Sequence, residues 1–305
     1  MDKISEDITS LVSSINNGDR KALARAITMV ENEMDGSATL LKQIKVKEIP
    51  VLGFTGPPGA GKSTLINALL RSIISMKKKA AVIAIDPTSP FNLGSLLADR
   101  IRMSEHFTNE NIFIRSLASR GSLGGLSEKI IEITDVLKSC DFDFIIIETV
   151  GVGQSEIEIA GLADTTVVVI VPESGDDIQA MKSGIMEIAD IFVVNKSDRE
   201  GAGTLVNNLK KMLAHKNDSG WSVPVINTTA TSGEGINELY EKISQHRNSK
   251  HFNEKKIYLL TEKVYQLARN YRMQRLKRED IKKELEKAIN ESSFNLYRFA
   301  EKYKI

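Results

Sequence analysis

Residues 49–63 read IPVLGFTGPPGAGKS, an apolar stretch followed by a glycine-rich turn. The last eight letters match the pattern G-x-x-x-x-G-K-[ST]. A strand that leads into such a turn and then into a helix is the setting of a phosphate-binding P-loop. Gly59 and Gly61 carry no Cβ, so the backbone can curl with its N–H groups facing polyphosphate oxygens. The stretch predicts a nucleoside triphosphate site within an α/β fold.

The end of this pattern carries two side chains suited to phosphate chemistry. Lys62 stands at the start of the expected helix, where its ammonium can reach the terminal phosphates, and Ser63 offers a hydroxyl to Mg²⁺. The helix N-terminus adds partial positive charge. We expect the loop and the first helical residues to bind the nucleotide, namely Gly56, Pro57, Pro58, Gly59, Ala60, Gly61, Lys62, Ser63 and Thr64.

The tetrapeptide Asn195-Lys196-Ser197-Asp198 follows another apolar run and predicts which base is bound. A carboxylate in the plane of the base accepts from N1–H and from the exocyclic amine of guanine, whereas adenine presents no such pair of donors. ATP would leave Asp198 buried without its partners, which favours GTP strongly. We expect Lys196 to lie along the base and Asn195 to tie this loop to the P-loop.

A second polar turn, Thr229-Ala230-Thr231, follows the apolar run 223–226. It is the expected backbone contact to the guanine carbonyl, and Gly233-Glu234-Gly235 opens the next helix.

Composition is typical of an enzyme-sized protein without a dominant charge. The 305 residues include 41 basic and 40 acidic side chains, so no global field attracts nucleic acid or a membrane. Cys140 is the single cysteine, which excludes an internal disulfide and a cysteine-cluster metal site. The N-terminus has neither an apolar nor an arginine-rich leader, and no apolar run approaches about 18 residues. We therefore expect a cytoplasmic protein.

Periodicity divides the chain into three regions. Residues 1–45 show helical spacing interrupted at Asn17-Gly18, which predicts a helical hairpin. Residues 46–247 alternate strands with helices, and their apolar runs are continuous, as in a doubly wound, mostly parallel sheet covered on both faces. The predicted strands are 51–55, 81–85, 112–116, 144–148, 166–171, 191–194 and 223–226.

Residues 248–305 form the third region, a helical extension with apolar stripes. One stripe holds Leu260, Val264, Leu267 and Tyr271, and a second holds Ile281, Leu285 and Ile289. Such stripes either fold back on the core or pair two copies of the chain. Both fates remain open at this point, and the appended helices suggest a homodimer.

Three carboxylates are candidates for a metal site. Asp86 and Glu148 end predicted strands, and ligands bind at the carboxyl ends of strands in such sheets. Asp99 falls between the second and third strands. Mg²⁺ prefers oxygen ligands and keeps several waters, so Ser63 with one or two of these acids would complete its shell.

Four long strings resemble the MeaB/ArgK/MMAA family of P-loop GTPases. They are IDPTSPFNLGSLLADRIRM (85–103), FIRSLASRGSLGGLS (113–127), FDFIIIETVGVGQSEIEIAGLADTTVVV (142–169) and PESGDDIQAMKSGIMEIADIFVVNKSD (172–198). The similarity covers nearly the whole chain. It implies a chaperone of adenosylcobalamin-dependent acyl-CoA mutases such as methylmalonyl-CoA mutase. Such a chaperone gates cofactor loading and protects or rescues the mutase, with GTP binding and hydrolysis setting the timing.

The resemblance also implies roles for particular residues. Lys62 and Ser63 would hold phosphate and Mg²⁺, Asp86, Asp99 and Glu148 would form the acidic side of the metal site, and Asn195, Lys196 and Asp198 would read guanine. Three switch segments are implied at Asp99 to Arg102, Val150 to Glu156 and Ser174 to Lys182.

Hydrolysis requires a group that orients the attacking water. Val152 follows Gly151 where a glutamine would serve, so Gln154 is the best substitute beside Lys62 and Glu148 as catalytic residues. We expect slow turnover alone and faster turnover when the mutase orders the switches.

Rival functions belong to other classes. A nickel-insertion GTPase needs a Cys/His-rich metal store, and four histidines with one cysteine argue against it. A kinase acting on a transport protein would need an acceptor site that the sequence does not display. A nucleotide-gated binding module with negligible turnover remains an alternative that rates would separate.

Overall fold

The computed structural model describes residues 3–86, 103–118, 129–149, 155–174, 185–214, 221–249, 254–273, 278–289 and 295–303. The chain divides into two compact units, Met1–Lys256 and Ile257–Ile305. This division does not test the domain borders predicted at residues 45 and 247, which stay predictions.

A parallel β-sheet forms the centre of the first unit. Its strands, within the described residues, are β1 (Val51–Thr55), β2 (Ala80–Asp86), β3 (Ile112–Ala118), β4 (Phe144–Glu148), β5 (Thr165–Ile170), β6 (Ile191–Asn195) and β7 (Val225–Thr228). Their order across the sheet is β3-β2-β4-β1-β5-β6-β7, and every neighbouring pair runs parallel. The predicted fold class is therefore confirmed, and the strand ends agree with the prediction within two residues.

Helices cover both faces of this sheet, as its apolar strands require. The helices described in the first unit are α1 (Lys3–Asn16), α2 (Arg20–Glu31), α3 (Ser37–Gln43), α4 (Lys62–Ser75), α5 (Ile130–Lys138), α6 (Ser155–Leu162), α7 (Ile185–Ile188), α8 (Ala202–Leu213) and α9 (Ile236–Asn248). One core cluster joins α4 and α9 to one face of the sheet, and a second joins α8 to the opposite face of β5 and β6. Helix α6 packs on β1.

The N-terminal helices are attached to the edge of the sheet. Helices α1 and α2 are separated at Gly18, whose φ of 82° lies in the left-handed region, and Asp19 caps α2 by accepting from the Lys21 and Ala22 amides. Arg115 on β3 donates to Thr28 at 3.1 Å and to Glu31 at 3.0 Å. A third helix, α3, follows the predicted pair. Leu40 is the one buried residue among its seven. So short a helix has too few apolar positions to show a helical period in the sequence.

The second unit is helical, as its apolar stripes predict. The helices described there are α10 (Glu254–Met273), which begins in the first unit, α11 (Arg278–Ala288) and α12 (Leu296–Glu301). Asn295 caps α12 through its side chain, and Tyr303 donates to Glu284 at 2.8 Å. Across the described ranges, no helix is both long and apolar enough to cross a membrane.

Cys140 lies buried after α5 with a reduced thiol. Burial raises the pKa of this thiol to about 11 because the thiolate would lose its hydration. The thiol is therefore protonated at neutral pH, and a structural role fits it better than a reactive one.

Candidate functional site

The P-loop turn depends on glycine at two close approaches. Gly56 has φ 137° and Gly61 has φ 84°. A Cβ on Gly56 would lie 2.0 Å from the carbonyl oxygen of Val169, and one on Gly61 would lie 2.5 Å from Nδ2 of Asn195. Neither position accepts a side chain without displacing a neighbouring strand or the Asn195 amide. The turn between them is the segment predicted to curl its backbone N–H groups around polyphosphate oxygens.

Lys62 begins α4 and holds its ammonium over this turn. Its Nζ donates to the carbonyl oxygens of Gly56 at 2.8 Å and Pro57 at 3.2 Å. Lys62 is 7% exposed, so its ammonium group is partly shielded from water. Thr64, in the first turn of the same helix, is half-buried. An anion at this end of α4 would meet the ammonium and the positive end of the helix dipole together.

Ser63 and Glu148 join α4 to the end of β4. The Ser63 hydroxyl donates to Oε1 of Glu148 at 2.7 Å, and the two residues are 3% and 4% exposed. Glu148 reaches this place because β4 pairs directly with β1, in the register Phe54↔Glu148. Two oxygen donors at this distance fit the preference of Mg²⁺ for hydroxyl and carboxylate ligands.

The structure does not describe the side chains of the other two predicted metal ligands, Asp86 and Asp99. Asp86 is the last residue of β2, so its backbone ends one strand away from β1, beyond β4; its side chain lies outside the described residues. Asp99 lies wholly outside them. Among the residues that are described, no group of three or more His, Cys, Asp or Glu side chains is arranged to hold a metal ion. The role of both aspartates stays a prediction.

Asn195 connects three loops at the carboxyl edge of the sheet. Its Nδ2 donates to the carbonyl oxygen of Ala60 at 2.8 Å, which is the predicted tie to the P-loop. Its Oδ1 accepts from the Thr228 hydroxyl at 3.1 Å and from the Ala230 amide at 3.2 Å. Because Asn195 is 2% exposed, these bonds are shielded from water. One amide therefore fixes the spacing between the P-loop turn and the two turns that are predicted to read the base.

The loop after Asn195 becomes progressively more exposed to solvent. Lys196 is half-buried with φ 55°, a left-handed conformation that turns the chain sharply, and the Arg199 amide closes the turn onto its carbonyl at 3.0 Å. Asp198 is exposed, so its carboxylate is accessible to a ligand. Arg199 forms an ion pair with Glu173, and its hydrogen bond lowers the pKa of that carboxyl. The sequence gives no signal for this pair, because nothing in it indicates that Glu173 lies beside the loop.

The turn at Thr229 is tied to the same loop. The Ser197 amide donates to the Thr228 carbonyl at 3.0 Å, and the Ser197 and Thr229 hydroxyls lie 3.1 Å apart. Thr229 and Ala230 are buried, whereas Thr231 is exposed. Gly235 has to be glycine, since a Cβ there would lie 2.0 Å from the Asn227 carbonyl oxygen. The two turns that are predicted to read the base are thus one hydrogen-bonded unit.

Gln154 and most of the three switch segments lie outside the described residues. This applies to Asp99–Arg102, to residues 150–154 and to residues 175–182, while Ser155, Glu156 and Ser174 are placed in backbone only. Their roles stay predictions.

A pair of buried hydroxyls beside the site was missed by the sequence reasoning. Thr149 donates its hydroxyl to that of Thr55 at 2.9 Å, and the residues are 1% and 0% exposed. Each threonine directly adjoins a predicted site residue, Glu148 or Gly56. That adjacency is the signal that could have drawn attention to them.

A family model and several curated relatives that match this chain all point to one family of GTPases. The family model described as "Methylmalonyl Co-A mutase-associated GTPase MeaB" matches residues 23–289. A protein named as a GTPase in Pyrococcus horikoshii is 47% identical over 250 residues, covering 79% of this chain and 78% of the relative. GTPase ArgK of Escherichia coli is 36% identical, covering 76% and 73%. The mitochondrial methylmalonic aciduria type A homolog of Mus musculus is 34% identical, covering 80% and 64%.

Solved structures share the fold. The crystal structure of a protein named LAO/AO transport system kinase matches with a TM-score of 0.70 and 25% identity, over 99% of this chain and 97% of the other. HypB from Helicobacter pylori, in complex with nickel, matches with a TM-score of 0.51 and 16% identity, over 74% and 96%. The HypB likeness concerns the fold alone.

Proposed function

This chain belongs to the MeaB family of methylmalonyl-CoA mutase-associated GTPases, and from that premise we propose that it is a GTP-driven chaperone of an adenosylcobalamin-dependent acyl-CoA mutase. In this function it gates the loading of adenosylcobalamin and protects or reactivates the mutase. GTP binding and hydrolysis supply the change of state.

The Asn195 amide is the observation that best supports the nucleotide half of this proposal. It joins the P-loop at Ala60 to the base-reading turn at Ala230. The distance between a phosphate cradle and a base cradle must match one nucleotide. An amide that is buried and hydrogen-bonded to both turns holds that distance better than surface loops would. The proposal assigns the base end to Asp198, which accepts from two donors of guanine.

The hydrolytic step is assigned to the residues at the phosphate end. Water attacks the γ-phosphorus, the new P–O bond forms in line, and the bond to the β,γ-bridging oxygen breaks, giving GDP, inorganic phosphate and one proton. Lys62 and the loop amides stabilise the charge that develops on the phosphate oxygens. Gln154 is proposed to orient the water.

Ser63, Glu148, Asp86 and Asp99 are proposed to hold Mg²⁺. The Ser63 to Glu148 hydrogen bond of 2.7 Å supports this for the first two residues, because it brings two buried oxygen ligands together. Mg²⁺ bound there would supply positive charge to the β and γ phosphate oxygens.

The mutase half of the proposal is tested by the lifetime of the partner enzyme. A purified cobalamin-dependent acyl-CoA mutase is assayed to inactivation alone, with this protein and GDP, and with this protein and GTP. We expect the activity to last longer with the protein, and the effect to depend on which nucleotide is bound. Equal inactivation in all three mixtures would contradict the chaperone role while leaving the GTPase activity intact.

Helix α10 supports dimerisation as part of this function. Four apolar side chains on it, at heptad spacing of three and four residues, are between 41% and 65% exposed: Ile257, Leu260, Val264 and Leu267. Such a stripe is the seam of a two-stranded coiled coil. We propose that α10 pairs with the same helix of a second copy.

Replacing Val264 with glutamate is expected to convert the dimer to a monomer, since it places a charge in the centre of the apolar stripe. Sedimentation velocity over a range of concentrations measures the change. Gln266→Glu is the matched control, because it adds the same charge at an exposed position outside the stripe. A wild-type chain that sediments as a monomer at every concentration would exclude the dimer, and a V264E dimer would exclude this helix as its interface.

Two rival functions have less support. A nickel store is not found among the described His, Cys, Asp and Glu residues, and the HypB likeness carries no ligand information. A binding module without turnover disagrees with the GTPase family to which the chain belongs.

A further inference from the structure

We propose that the hydroxyl pair Thr55 and Thr149 is a positioning element for GTP hydrolysis. It holds the end of β4 against the entrance of the P-loop and so keeps the Glu148 carboxylate at Ser63. This inference rests on the proposed role of Glu148 and adds two residues to the machinery of the reaction.

The pair extends the sheet by one step beyond its regular end. Strands β1 and β4 pair in the register Phe54↔Glu148, and β4 ends there. The Thr149 amide nevertheless donates to the Phe54 carbonyl at 3.0 Å, and the hydroxyl contact of 2.9 Å lies alongside it. Two hydrogen bonds thus fix the first residue after β4 to the last residues of β1.

The position of the pair relates it to both halves of the phosphate site. Thr55 immediately precedes Gly56, and Thr149 immediately follows Glu148. Side chains alternate along a strand, so Thr55 faces away from α4, toward the side where α6 packs near Gly53. Glu148 faces α4 and accepts a hydrogen bond from the Ser63 hydroxyl. The pair therefore fixes the backbone from which Glu148 projects, without touching the nucleotide cradle itself.

Burial raises the free-energy cost of breaking the hydrogen bond between the two hydroxyls. Both residues are shielded from water, so a hydroxyl that loses its partner keeps its desolvation cost, whereas removing both hydroxyls is close to neutral for folding. Stability and positioning can therefore be separated. A displacement of Glu148 by a fraction of an ångström lowers the rate of an ordered reaction even when the protein is fully folded.

The experiment compares Thr55→Val, Thr149→Val and the double variant without any mutase present. Each is measured for melting temperature, GDP affinity and kcat for GTP hydrolysis. We expect the single variants to melt lower and the double variant to recover part of that loss. All three are expected to lose about tenfold in kcat, the effect of one hydrogen bond, with GDP affinity unchanged.

Two further variants provide controls. Thr149→Ser keeps the hydroxyl and should retain most of kcat. Thr134→Val removes a buried hydroxyl that donates to the Ile130 carbonyl of its own helix at 2.7 Å, and it should change stability but not kcat.

Three results would overturn the inference: single variants that hydrolyse GTP at the wild-type rate, a double variant that recovers kcat together with stability, or a T149S variant as slow as T149V. The first two would make the pair purely structural, and the third would assign the effect to side-chain shape. Each can occur whether or not a mutase stimulates the wild-type protein, so a failure of this inference is distinguishable from a failure of the proposed mutase role.

Discussion

Replacing Lys62 with alanine is expected to reduce GTP hydrolysis by about 10²–10³-fold, the usual effect of removing one group that stabilises transition-state charge. The ammonium lies over the P-loop turn, held by the carbonyls of Gly56 and Pro57. Alanine keeps the helix but removes the positive charge nearest to the expected γ-phosphate. Phosphate release under saturating GTP measures the loss, and binding of a non-hydrolysable GTP analogue separates affinity from rate.

Lys210→Ala is the matched control for this variant. Lys210 is an exposed lysine on α8, so the same change of charge there should leave kcat unaltered. Wild-type turnover by Lys62→Ala would mean that the glycine-rich turn is not the site of hydrolysis. Equal loss in both variants would attribute the effect to net charge.

Replacing Asp198 with asparagine is expected to change the preferred base from guanine to xanthine. The carboxylate can accept from N1–H and from the exocyclic amine of guanine, whereas the asparagine amide presents a donor to one of these groups. Xanthine carries a carbonyl in place of the amine and accepts from that donor. We expect the ratio of GTP to XTP affinity to fall by about 100-fold or more, because a mismatched polar pair is rejected strongly.

Competition binding with GTP, XTP and ATP measures this change of specificity. Glu200→Gln serves as the control, since it neutralises an exposed carboxylate in the same loop. A variant that keeps its preference for GTP over XTP would remove Asp198 from the base-reading role. Continued rejection of ATP by all three proteins is also expected, because adenine matches neither side chain.

The fold was predictable because its strands are covered on both faces. Continuous apolar runs such as Ile191–Val194 indicate buried parallel strands, and each lies in the sheet. Helix α3 was not predicted, since its seven residues bury a single leucine among themselves. Short helices carry too few apolar positions to reveal their period.

The site was predictable where its residues are local in sequence. The P-loop and the 195–198 loop each follow a strand, and parallel strands end at one edge of the sheet, so their proximity follows from the fold. Contacts between distant segments were not predictable in detail. The Thr55 to Thr149 bond depends on which strands are neighbours and on their register. The Arg199 to Glu173 ion pair depends on loop conformation.

We propose that a mutase controls the GTP cycle of this protein. The most direct measurement is GTP hydrolysis by the purified chain, alone and with a cobalamin-dependent acyl-CoA mutase from the same organism, using ATP and Lys62→Ala as controls. We expect slow turnover alone and an acceleration of about tenfold or more with the mutase, specific for GTP and lost in Lys62→Ala. Brisk GTP turnover that no such mutase alters would contradict it.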